Sequence, residues 1–295
     1  MALNFSHGKT LTYDKVNDIE IYYDDDDKGQ QWYEDKKGHF EILPDITRER
    51  EVIILTGSSG AGKSGIIARY AINYRLIYPK NEIYMFSQFP AGYDPAFTNT
   101  YSPKTGKYTG ADIRKFLNLR FVKLDHSFMN KKIDVIRDFE NCLLLFDDYD
   151  EIDDDVDEEN DDDFSDYDDE GNKIKKTKKK GKKSKDGIVK KIYRVIRQVL
   201  KLGRKNNVSC IVSNHVLYGE EGQSQLYRVE MNECHKLIFF KDDNEFQVRR
   251  ALNTRFGLEQ KTIDNIFSKL NHTRWICINK AKPKYVLTET TIELL

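Results

Sequence analysis

Cysteine is scarce in this chain: 295 residues contain 4, and no two are spaced as a CxxC pair. Cys142, Cys210, Cys234 and Cys277 are scattered, mostly through apolar segments. A disulfide framework and a zinc ribbon are therefore not expected, and a reduced intracellular setting is. Cys234-His235 is a conceivable metal pair, although a buried thiol beside a hydrogen-bonded histidine is the simpler expectation. Long hydrophobic runs are also missing. Nothing approaches the eighteen or so apolar residues of a membrane span, so no stable membrane insertion is expected. The first residues lack the basic, apolar, small-residue order of a secretory signal.

Net charge is nearly absent at −1, but this conceals two opposed blocks. Residues 149–187 hold 16 acidic residues against 9 lysines, a contribution of −7, so the remainder carries +6. The acids come first and the lysines follow, with almost nothing apolar between them. Such a segment cannot offset its ordering entropy by burial, and a disordered surface insert is expected. Either it is a tail-like loop in which acid shields base or lysines touch DNA, or it is a plain expansion of a surface loop.

Against these absences stands one complete motif. Gly57-Ser58-Ser59-Gly60-Ala61-Gly62-Lys63-Ser64 follows the run Val52-Ile53-Ile54-Leu55. After it, residues 65–78 place Ile66, Ile67, Tyr70, Ala71 and Tyr74 at helical spacing. A glycine-rich turn joining a buried strand to a helix aims backbone N–H groups at phosphate from the helix's positive end. In this pattern Lys63 reaches the β- and γ-phosphates and Ser64 offers a hydroxyl to magnesium. The expected ligands are ATP and Mg2+.

The rest of the chain alternates strand and helix. Residues 1–47 form a lead-in with strands expected at 20–23 and 39–43, and 48–295 form the main domain. Strands are expected at 83–86, 121–124, 142–146, 210–213 and 236–240, and a closing hairpin at 275–278 and 285–287. Helices are expected at 111–117, near 135–139, at 188–202, and on both sides of Gly257. The fully apolar Cys142-Leu143-Leu144-Leu145-Phe146 suits a parallel strand covered on both faces. The class is α/β, a P-loop NTPase with a mostly parallel sheet flanked by helices.

That apolar strand delivers Asp147 and Asp148 at its carboxyl end, where α/β sheets present ligands. Asp147 suits magnesium, and Asp148 the polarisation of an attacking water. Asn214, after the strand 210–213, is a candidate to bond both water and γ-phosphate, with His215 secondary. Motors of this kind complete the site with a neighbour's arginine. Arg228 is the first candidate; Arg204, Arg249, Arg250 and Arg255 are the others.

GSSGAGKS, LLLFDD and CIVSNH, in this order, resemble the FtsK/HerA-type motor superfamily, and within it the poxvirus-like genome-packaging ATPases of large double-stranded DNA viruses. The resemblance spans roughly residues 40–290 and includes Arg228 to Glu233 before a core strand. It implies a RecA/FtsK-HerA-like fold and a homo-oligomeric ring, hexamer or pentamer. It further implies double-stranded DNA and capsid or portal-vertex proteins as partners, in a virion or a viral factory in the host cytoplasm. Asp148 and Asn214 stand where cellular relatives usually have glutamate and glutamine. DNA-facing cations are sought in Lys104, Lys107, Arg114 and Arg120, or in Lys191, Arg194 and Arg197.

Other classes fit less well. Asn279-Lys280-Ala281-Lys282 approaches a guanine-reading NKxD motif but ends in lysine. Gly219-Glu220-Glu221-Gly222-Gln223 is no ABC signature. A small-molecule kinase is the enzymatic alternative, and an ATP-regulated structural or recruitment protein the non-catalytic one.

Overall fold

The computed structural model describes residues 1–15, 17–26, 28–35, 38–89, 94–98, 100–102, 107–109, 113–149, 187–217, 224–240, 245–269 and 273–295. The lead-in is richer in strands than expected. It holds β1 (Ala2–Asn4), β2 (Lys9–Asp14), β3 (Ile19–Asp24), β4 (Trp32–Glu34) and β5 (Phe40–Ile42). Four of these form an antiparallel sheet in the order β1-β3-β2-β5. β3 and β5 fall on the strands expected at 20–23 and 39–43, whereas β1 and β4, three residues each, are too short for alternation to register in sequence.

The main sheet begins with β6 (Val52–Thr56), followed by α1 (Lys63–Ile77) and β7 (Glu82–Ser87). Next come α2 (Pro95–Thr98), the short pair β8 (Thr100–Ser102) and β9 (Lys107–Thr109), α3 (Ile113–Leu117) and β10 (Leu119–Lys123). Then follow α4 (His126–Asn130), α5 (Val135–Asp138), β11 (Cys142–Phe146), α6 (Ile188–Leu202) and β12 (Val208–Asn214). The chain ends with α7 (Ser224–Glu233), β13 (Lys236–Phe240), α8 (Glu245–Phe256), α9 (Gln260–Lys269), β14 (Trp275–Asn279), β15 (Tyr285–Thr288) and β16 (Thr291–Leu294).

Ten strands line up as β10-β7-β11-β12-β6-β13-β14-β15-β16-β4. The first six are mutually parallel and the last four run antiparallel. The lead-in is thus built into the main sheet, because β4 pairs with β16. Period-2 alternation divides each central strand between two cores. Val52, Ile54, Leu144, Phe146, Cys210 and Val212 face α6 and the later helices. Ile53, Leu55, Leu143, Leu145 and Ile211 face α1 and the antiparallel sheet.

α6 buries Ile192, Val195, Ile196, Val199 and Leu200, the stripe expected from its spacing. Its end is held by Arg50, whose guanidinium donates to the Val199 and Leu200 carbonyls at 3.0 and 2.7 Å. Where β13 begins and just before β6, Lys236 and Glu51 make a 2.7 Å ion pair with both side chains buried. Burial disfavours the Lys236 charge, but Glu51 overcomes this and holds the ammonium above its usual range.

Candidate active site

The turn between β6 and α1 has the backbone its glycines permit. Gly60 and Gly62 take φ of 79° and 106°, a left-handed region that side chains disfavour. Gly57 is required for another reason: a Cβ there would sit 2.5 Å from the Phe240 ring. Gly57 N–H donates to the Asn214 carbonyl at 3.2 Å, and α1 starts at Lys63 directly after the turn. Lys63 is buried, and its ammonium donates to the carbonyls of Gly57 and Ser58 at 2.7 and 3.0 Å. Ser58, Ser59 and Gly60 are exposed at the mouth of the loop.

Two strands away, β11 delivers the acid pair. Asp147 N–H still bonds the Phe86 carbonyl at 3.0 Å, extending the strand by one residue. Asp148 then turns into the left-handed region at φ 48°. Ser64 Oγ donates to Asp147 Oδ2 at 3.4 Å. Asp147 is 1% exposed, and its Oδ1 is buried with no hydrogen-bond donor. Burial first, and the Asp148 charge second, push this carboxyl up to about 7, against the opposing pull of the neighbouring Ser213 hydroxyl and the Lys63 charge. A serine hydroxyl beside adjacent carboxylates, one with an orphaned buried oxygen, is a donor set that suits Mg2+, a cation that binds through few protein oxygens. Among the described residues no group of three His, Cys, Asp or Glu converges as a metal cluster.

β12 lies between the loop strand and the acid strand. Its last residue, Asn214, pairs with Thr56 at the root of the loop. Phe146 pairs with Val212, so the acid pair runs alongside Ser213 and Asn214. Asn214 is buried; its Oδ1 accepts from the Tyr149 hydroxyl and its Nδ2 donates to Glu230 Oε2 at 3.4 Å. Tyr149, at the expected start of the charged insert, is buried core and meets the Tyr193 ring edge-on at 5.8 Å. The remainder of the expected insert, residues 150–186, lies outside the described residues.

Tyr149 and Glu230 are the site residues that sequence reasoning missed. Tyr149 was hidden by the acids that follow it. Glu230 shares the inward helical face of Leu226, Tyr227 and Met231, and that spacing is a signal that could have found it.

Arg228 lies on α7, two residues from Glu230, and is exposed. Arg204 is also exposed, whereas Arg249 is engaged by Glu245, Asp264 and the Phe267 ring. Among the proposed DNA-facing cations, Lys191 is spent within the fold. Its ammonium donates to the Phe128, Met129 and Lys131 carbonyls at the end of α4. Arg120 pairs with Glu82 across β10 and β7. Lys104, and residues 219–223 considered as an ABC signature, lie outside the described residues.

Cys234-His235 is no metal pair. The Cys234 thiol contacts the Lys236 carbonyl at 3.0 Å, and His235 Nδ1 accepts from Val52 N–H at 2.9 Å. Burial first, then nearby Arg48, bring the imidazole down to about 4, so it stays neutral. The near-match to a guanine motif is structural as well. Asn279 Nδ2 closes the β14–β15 turn on the Ala281 and Pro283 carbonyls, and Lys280 caps α7 at the Met231 carbonyl.

No family model matches the chain. It is 27% identical over 272 residues to the uncharacterized protein V3 of Sputnik virophage, covering 92% of this chain and 88% of that protein. Among solved structures it is similar to the genome packaging NTPase B204 from Sulfolobus turreted icosahedral virus 2 in complex with AMPPCP. That match has 13% identity and a TM-score of 0.44, over 82% of this chain and 97% of the other. The pCW3 conjugation coupling protein TcpA, in its monomer form with ATPγS, aligns at 10% identity and a TM-score of 0.38, over 94% of this chain and 73% of the other.

Proposed function

We propose that the chain is an ATP-driven double-stranded DNA translocase of the FtsK/HerA type that packages a viral genome into a preformed capsid. One observation carries the ATPase part. A left-handed glycine loop at the head of α1 stands across one strand from an acid pair whose first member is buried, with the Ser64 hydroxyl joined to Asp147. The intervening strand ends in a polar side chain, Asn214, as a RecA/FtsK-HerA-like sheet would have it. The viral setting agrees with a virophage relative along most of the chain.

In this mechanism the loop amides of 57–64 cradle the phosphates, and Lys63 leaves its two carbonyl partners to meet the β- and γ-oxygens. Mg2+, when bound, neutralises phosphate charge and compensates the buried Asp147 carboxylate. Ser64 and Asp147 would hold it. Asp148 accepts a proton from the attacking water, whose oxygen bonds the γ-phosphorus as the bond to the bridging oxygen of ADP breaks. Asn214 donates to the γ-phosphate. Arg228, exposed on α7, reaches a neighbouring subunit's phosphates in a hexameric or pentameric ring and stabilises the charge spreading there. Duplex DNA would be held through its phosphates, with little sequence preference. Capsid or portal-vertex proteins and a virion or cytoplasmic viral factory complete the proposal.

The test is steady-state ATP hydrolysis by the full chain, with and without long double-stranded DNA. Hydrolysis stimulated by DNA in a length-dependent way is expected. Lys63→Ala should abolish productive binding. Asp148→Asn should retain ATP affinity and lose about 100-fold or more in turnover. Robust turnover indifferent to DNA would favour a small-molecule kinase instead, and nucleotide binding with negligible turnover a regulated recruitment protein.

A further inference from the structure

Asn214 holds the phosphate loop with its backbone and helix α7 with its side chain. A carboxamide offers two N–H donors and two acceptor lone pairs, and its two ends are nearly identical in shape. Only its partners decide which end points where. Here Glu230 selects the orientation and Tyr149 completes it. Glu230 Oε2 accepts from Nδ2, which turns Oδ1 toward Tyr149, and the tyrosine hydroxyl, able to donate or accept, donates to it. All three side chains are buried, where an incorrectly paired polar group is expensive.

One N–H of Asn214 remains after these two bonds. The residue stands beside Thr56 at the root of the loop and alongside the acid pair. We propose that Tyr149 and Glu230 are positioning residues that lock the Asn214 carboxamide, so that its remaining N–H, and not its carbonyl oxygen, is offered to the γ-phosphate. This rests on the ATPase assignment. The lock discriminates triphosphate from diphosphate, because a rotated amide would place a lone pair against an anionic oxygen. Neither residue touches nucleotide; both act through Asn214.

The variants are Tyr149→Phe, which keeps the ring, Glu230→Gln, the pair combined, and each with Asn214→Ala. ATPγS and ADP affinities are read with fluorescent nucleotide competition, and kcat and KM from ATP hydrolysis. The combined variant should lose about 10- to 100-fold in kcat and in ATPγS affinity, the range of one charge-assisted hydrogen bond. Its ADP affinity should stay within about twofold, and each single change should lie between. Added to Asn214→Ala, either change should cost little more.

Equal loss of ADP and ATPγS binding, or full additivity with Asn214→Ala, would overturn the lock and leave a merely structural role. If Glu230→Gln fails to fold, Tyr149→Phe carries the same contrast alone. A wild-type chain that binds neither nucleotide overturns the ATPase assignment itself, a failure visible before any variant is made.

Discussion

Replacing Asp147 by asparagine should stabilise the nucleotide-free protein, and do so more as pH rises. The carboxyl is buried, its Oδ1 has no donor, and burial with the Asp148 charge pushes it from 3.8 up to about 7. A carboxyl raised in this way favours the folded state most when protonated. Its contribution is fully present below the unfolded pKa of 3.8 and is lost as pH rises through about 7. At ~1.36 kcal/mol per pH unit, full ionisation costs the folded state about 4 kcal/mol. Between pH 5 and pH 8 the loss is roughly 2–3 kcal/mol, or ~5 °C in Tm for a chain of this size. Asp147→Asn keeps the shape and removes the titration. In EDTA without nucleotide, the Tm of the variant minus that of the wild type should therefore grow by ~5 °C from pH 5 to pH 8. Mg2+ with a non-hydrolysable ATP analogue should close the gap, because only the carboxylate gains from the cation. Variant and wild-type Tm values that keep a constant difference across this range would refute the raised Asp147 carboxyl.

Two further outcomes follow from the packing. Glu51→Gln leaves the Lys236 ammonium buried beside a neutral partner and should cost about 3–5 kcal/mol in urea unfolding. Gly57→Ala drives a methyl into the Phe240 ring and should cost about 1–3 kcal/mol, with weaker nucleotide binding. Adding Phe240→Leu should return much of that binding by opening the space.

The central strands and long helices were legible because each obeys one period. Cys142–Phe146 is apolar at every position, and the α6 face Ile192, Val195, Ile196, Val199 and Leu200 follows the helical turn. The phosphate loop and the acid pair were legible as local strings whose chemistry depends on neighbours in the chain. The lead-in was read only in part. β3 and β5 were expected, whereas β2 carries mixed polarity and the three-residue β1 and β4 exist because a partner supplies their hydrogen bonds.

By itself the sequence determined an α/β chain with a glycine loop after a buried strand, acids at a second strand end and an asparagine at a third. Tertiary structure alone decided that the asparagine's strand lies between the other two, since strand order depends on which edges pair and no local pattern encodes it. It also decided the fate of individual polar groups. Lys191 became a helix cap in place of a DNA contact, His235 a backbone acceptor, and Tyr149 and Glu230 the partners of Asn214. A buried polar side chain takes whatever partner the fold brings within about 3 Å, and that distance is set by residues far away in the chain.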